Sequence, residues 1–111
     1  MSNYRYMRSL LFFDLPVETS AQRKEYRRFV KFLKKNGFIM VQESVYCKLS
    51  VTPQAVQSLS KLIEMNCPCK GGSVMMLTVT EKQFSGLQIF IGQDVIASSK
   101  IVNSDERYIE L

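Results

Sequence analysis

The sequence predicts an α+β domain in which two helices cover one face of a four-stranded antiparallel sheet. Three observations carry that expectation. Strand-like and helix-like segments follow one another in the order β-α-β-β-α-β. Each helical segment has its own start and stop signals. The length, 111 residues with 46% hydrophobic and 23% charged, suits one domain that buries a core without disulfide or metal support.

Met7 to Leu15 (MRSLLFFDL) is an almost unbroken apolar run that stops at Pro16. It is too short for most helices and rich in Leu and Phe, which suits a central strand covered on both faces. Pro16 to Ser20 reads as a turn. Thr19 followed by Gln22 has the capping-box spacing that opens a helix, here from Ser20 to Asn36, and Gly37 stops it. Phe38 to Leu49 favours strand, but Gln42-Glu43-Ser44 interrupts it and leaves two short strands. Thr52 as N-cap with Pro53 at the first helical position begins a second helix that runs to Met65. Val56, Leu59, Leu62 and Ile63 give that helix one apolar face, and Cys67-Pro68 ends it. Gly71-Gly72 turns the chain into a strand from Ser73 to Thr80, and Gln88 to Ile91 is expected as a short fifth strand. Two helices on one face of such a sheet is the ferredoxin-like βαββαβ arrangement. It is expected over residues 1–92, followed by a C-terminal extension, 93–111, that is polar apart from patches at Ile101-Val102 and Tyr108-Ile109.

Charge is distributed unevenly. The chain has fifteen Lys or Arg against ten Asp or Glu, net +5. Arg23, Lys24, Arg27, Arg28, Lys31, Lys34 and Lys35 face only one acid, Glu25, across thirteen residues, so that stretch is +6 and the remainder −1. On a helical wheel Tyr26, Phe29, Val30 and Leu33 form the core arc, and all seven bases occupy an adjoining arc of roughly 140°. Glu25 is placed to pair with Arg28. An ordinary solvated face mixes signs because like charges one turn apart repel. A one-sign stripe fits a nucleic-acid backbone better than bulk water, the bland alternative being a merely solubilising face. A membrane surface is a poorer fit, since the core needs the apolar arc.

The absence of histidine excludes Ser-His-Asp and Cys-His catalysis within the chain, along with any histidine metal site. Nucleotide hydrolysis finds no phosphate-cradling glycine loop. An odd count of three cysteines and the lack of an export-signal pattern lead us to expect a cytoplasmic protein. Cys67-Pro68-Cys69 reads as reduced thiols around a turn rather than as half of a zinc site. Asp14, at the end of the apolar run, admits two readings of equal weight: a wet turn initiator, or a ligand for a divalent cation. Mg²⁺ keeps several waters and needs only one or two protein oxygens, and a two-fold dimer would bring two copies of Asp14 together.

Taken together, Leu11-Phe12-Phe13-Asp14-Leu15-Pro16, the basic helix through Arg27-Arg28, and Gly37 to Tyr46 (GFIMVQESVY) resemble the CRISPR-associated Cas-two family. This family is the small partner of the Cas-one integrase in spacer acquisition. Thr78 to Phe84 (TVTEKQF) resembles the version found beside Cas-nine systems. The resemblance covers nearly the whole chain. It implies a ferredoxin-like homodimer in which Asp14 is the catalytic, Mg²⁺-binding residue of an endonuclease acting on single-stranded RNA or on DNA. It also implies a scaffold that holds double-stranded spacer-precursor DNA and bridges two integrase dimers. Many members have Tyr before the aspartate, where this chain has Phe13.

Gln42 and Ser44 read as hairpin residues before nucleic-acid contacts, and Tyr46 as a core aromatic before a stacking platform. Glu81 to Phe84 is expected to be the exit from the last strand. The tail from Gln93 is expected to pair with the other protomer or with the integrase. An RNA-recognition module is disfavoured, because Glu43 to Lys48 lacks the aromatic pattern such modules stack bases on. A free-standing toxin-like endoribonuclease on the same fold is the main alternative.

Overall fold

The computed structural model describes residues 6–68 and 71–92. The order is β1 (Met7–Asp14), α1 (Ser20–Lys35), β2 (Ile39–Gln42), β3 (Val45–Ser50), α2 (Pro53–Asn66), β4 (Ser73–Thr80) and a single helical turn, α3 (Glu81–Phe84). The sheet runs β2-β3-β1-β4, antiparallel throughout. This is the expected ferredoxin-like topology. β1 is central, with Met7 opposite both Ser50 and Thr80.

Local chemistry sets each boundary. The Thr19 hydroxyl accepts from the Gln22 N–H at 3.0 Å, while Gln22 Oε1 accepts from the backbone N–H groups of Glu18 and Thr19. This is the reciprocal capping box the spacing implied. Helix α1 ends one residue earlier than expected, with Asn36 as its cap. Gly37 follows at φ +91, where a Cβ would sit 2.6 Å from Lys48 Nζ. Gln42 and Val45 pair across the β2–β3 turn, Ser44 adopts φ 67, and a register shift between Met40 and Gln42 marks a bulge. Thr52 caps α2 through the Ala55 N–H, with Pro53 beginning the helix.

Strand alternation sorts β1 into two faces. Leu11, Phe13 and Leu15 point beneath the helices and join Phe29, Leu33, Phe38, Tyr46, Leu59 and Ile63 in the main core. Phe13 is its hub, with its ring 5.4 Å from Phe29 edge-on, 5.7 Å from Tyr46 in a stack, and 5.9 Å from Tyr26. Tyr46 is therefore a core aromatic, as expected, and burial raises its hydroxyl pKa.

The other face of β1 corrects two expectations. Glu81 to Phe84 is a helical turn and not a simple strand exit, because Thr80 and Gln83 form a second capping box. No strand forms at Gln88 to Ile91. Leu87 and Ile89 instead lie on the open face of the sheet with Leu10, Ile39, Val41, Cys47, Val79 and Phe84. Burying these side chains against the sheet replaces the ladder that their β propensity suggested. The cover reaches only part of the face, so β1 is enclosed on both sides at its first half alone. Met75 and Leu77, opposite Phe12 and Leu10, are 62% and 54% exposed. Cys69 and the expected tail, 93–111, lie outside the described residues.

Candidate nucleic-acid and metal interface

All seven predicted bases lie exposed on α1, but they fall into two groups. Arg28 donates to Glu25 at 2.9 and 2.7 Å and to the Asn66 carbonyl at the end of α2 at 2.9 Å. Arg23 donates to the Val17 and Glu18 carbonyls in the loop before α1. Both guanidinium groups thus brace the fold. The side chains of Lys24, Arg27, Lys31, Lys34 and Lys35 make no hydrogen bond or ion pair with the described residues. From Lys24 to Lys35 they span twelve residues, about 17 Å of helix axis. The hydrogen bond from Arg28 holds the Glu25 carboxyl below its ordinary range, so the one acid on this helix is ionised and already engaged.

Asp14 closes β1 on the sheet's open side, opposite Ser73, and its residue is exposed. The backbone there is held tightly. Gly72, at φ +80, passes so close that a Cβ would stand 2.4 Å from the Asp14 carbonyl oxygen and 3.1 Å from Leu15 Cα. Only glycine fits that approach. Asp14 offers hard carboxylate oxygen, the donor that Mg²⁺ prefers. Among the described residues no cluster of three or more His, Cys, Asp or Glu could hold a metal. Asp14 thus belongs to no such cluster among the described residues, and a cation there would be held largely by water or by a second copy of the carboxylate across a two-fold axis. The sheet separates Asp14 from the α1 stripe, so the two predicted sites occupy different surfaces of one protomer.

Sequence reading missed a third charged feature. Arg8, 5% exposed inside the strand, donates Nε to Glu81 Oε1 at 3.0 Å and Nη2 to Oε2 at 2.6 Å. Its guanidinium lies 4.7 Å from the centre of the Phe84 ring. This clamp secures α3 across the first half of β1. Next to it, Cys47 is buried, and burial pushes its thiol pKa up, away from reactivity. The signal was available in part: an arginine within an apolar strand needs a buried acid.

Comparison with known proteins agrees with this geometry. The family model described as CRISPR associated protein Cas2 matches residues 7–86. A relative from Treponema denticola, named CRISPR-associated endoribonuclease Cas2, is 46% identical over 105 residues, which is 95% of this chain and all of that protein. One of the same name from Ligilactobacillus salivarius is 44% identical over the same share of each chain. The crystal structure of Streptococcus pyogenes Cas2 at pH 6.5 superposes with a TM-score of 0.59 at 25% identity, covering 77% of this chain and 99% of that one. By sequence and by fold, the chain belongs to the CRISPR-associated Cas2 family.

Proposed function

We propose that this protein acts in CRISPR adaptation as a homodimeric scaffold. It binds double-stranded spacer-precursor DNA, bridges dimers of the Cas-one integrase, and carries an Mg²⁺-dependent endonuclease activity centred on Asp14. The observation that carries the scaffold reading is the set of five cations on α1 whose side chains have no partner among the described residues. Such a row neutralises phosphates without reading sequence, as a scaffold for arbitrary spacers requires. The open, apolar Met75 and Leu77 beside half-exposed Leu10 and Phe12 support a second protomer packing on this face.

The nuclease reading draws on the name the relatives carry and on the unpaired carboxylate of Asp14. Asp14 would hold the cation, and a bound Mg²⁺ would stabilise charge on a phosphoryl oxygen and activate water. Pairing with Ser73 and the close approach of Gly72 fix the backbone that carries the carboxylate, and no histidine is needed. Phe13 is locked in the core, so it takes no part in the chemistry.

Two measurements test these roles separately. If five phosphates are neutralised, log affinity for duplex DNA falls with log salt at a slope of about −4.5; a salt-independent affinity overturns the scaffold reading. Asp14→Ala should abolish RNA or DNA cleavage while leaving duplex binding intact. Retained cleavage by the purified variant overturns the assignment of Asp14. Co-purification with the neighbouring integrase, followed by an integration assay, then separates an adaptation scaffold from a toxin-like ribonuclease.

A further inference from the structure

We propose that the cavity beside the end of β1 is a binding site for one unpaired nucleobase of a single-stranded nucleic acid. The proposal deepens the nuclease reading and rests on it for the identity of the strand. The cavity, about 350 Å³, lies between the loop that follows Asp14 and the first half of α1. Pro16, Pro68 and the aromatic ring of Tyr26 wall it, and Ala21, Gln22 and Glu25 line its helix side.

Its polar groups have a defined sense. Gln22 Oε1 accepts from two backbone N–H groups, at 2.8 and 2.9 Å. Those donors fix the amide orientation, so Nε2 remains as a donor with no partner among the described residues. Glu25 accepts from Arg28 through Oε2 and keeps Oε1 as an acceptor. One donor, from Gln22, and one acceptor, from Glu25, on the lining of a cavity with apolar and aromatic walls complement the Watson–Crick edge of an unpaired base. A paired base hides that edge. Every nucleobase presents adjacent donor and acceptor groups there, so the site selects for an unpaired base and tolerates its identity.

Position connects this site to Asp14. Pro16 is two residues beyond Asp14, at most about 7 Å along the chain. A base seated in the cavity therefore brings the neighbouring phosphates around the end of the sheet towards the Asp14 carboxylate. The α1 stripe meets a duplex through phosphates alone, whereas this cavity recognises a strand by what is unpaired.

The test compares a short single-stranded RNA with an abasic strand of equal length and charge, by equilibrium binding to wild type and to Ala21→Leu. Ala21 is exposed and lines the cavity, and it is itself neither a basic residue, a capping partner nor Asp14, so a leucine there takes up cavity space with those groups unchanged. Wild type should bind the intact strand about tenfold more tightly than the abasic one, the range of a single stacked base. In Ala21→Leu that preference should vanish, with duplex DNA affinity unchanged. Equal binding of the two strands by wild type, or a preserved preference in Ala21→Leu, overturns the proposal. Cleavage is not the readout, so loss of the Asp14 assignment leaves this result standing.

Discussion

The two ends of β1 handle charge in opposite ways. At the first end Arg8 is buried, paired through two hydrogen bonds to Glu81 and covered by Phe84. At the last end Asp14 is exposed and has no ion-pair partner among the described residues. Burying a charge is costly, so the buried arginine is tied to a structural partner. The exposed aspartate keeps its water and remains available for an external cation. The same division recurs on α1, where Arg23 and Arg28 are spent on the protein's own carbonyls and Glu25, and five other bases are not. Pairing, more than charge, separates the residues that hold this fold together from those proposed to act on a ligand.

The largest effect should come from breaking the paired end. Glu81→Ala strands a buried guanidinium and should cost about 3–5 kcal/mol in denaturant unfolding. The double variant Arg8→Met, Glu81→Leu should recover most of that loss. A double variant as unstable as the single would show that the pair contributes more than mutual neutralisation.

Gly72→Ala attacks the other end through the backbone. The strained φ and the approach to the Asp14 carbonyl should cost about 2 kcal/mol and depress cleavage by displacing Asp14. Asp14→Ala itself, by contrast, should leave unfolding stability within about 0.5 kcal/mol. A large loss there would give Asp14 a structural role.

On α1 the comparison is finer. Lys31→Ala should lower the salt slope of duplex binding by about 1, whereas Arg28→Ala should leave the slope unchanged. The smallest expected effect is on acidification. Arg28 lowers the folded-state pKa of Glu25, so this interaction stabilises the fold above the ordinary carboxylate range and is lost as pH falls through the lowered value. Wild type should be the more stable above that window, and the Glu25-dependent part of its advantage over Arg28→Ala should vanish as acid titration passes through it.

Most of the fold was legible because its signals are local. Thr19 and Gln22, Thr52 and Pro53, and Gly37 each fix a boundary within a few residues of themselves. The two misread segments failed for different reasons. The Thr80–Gln83 capping box has the same spacing as Thr19–Gln22, but the apolar strand before it suggested continued extension. Gln88 to Ile91 has strand propensity without a ladder partner, and propensity does not specify what a segment packs against. In the site, Asp14 and the basic stripe were visible as residue types. Which bases were already engaged was not, because Arg23 and Arg28 donate to backbone carbonyls of Val17, Glu18 and Asn66, groups that every residue carries. Arg8 declared its need for an acid, but Glu81 lies 73 residues away.

The place of β1 in the sheet also bears on how the chain is made. This strand is synthesised before both of its hydrogen-bonding neighbours, β3 and β4, and the latter ends at Thr80. Until Thr80 has been made, the Leu-Leu-Phe-Phe segment therefore lacks at least one of its flanking strands. Closing such long loops slows folding and leaves apolar strand exposed to other chains. Output of the native protein should thus depend on how quickly residues 45–80 follow the first fifteen, making translation speed across β3, α2 and β4 a determinant of yield.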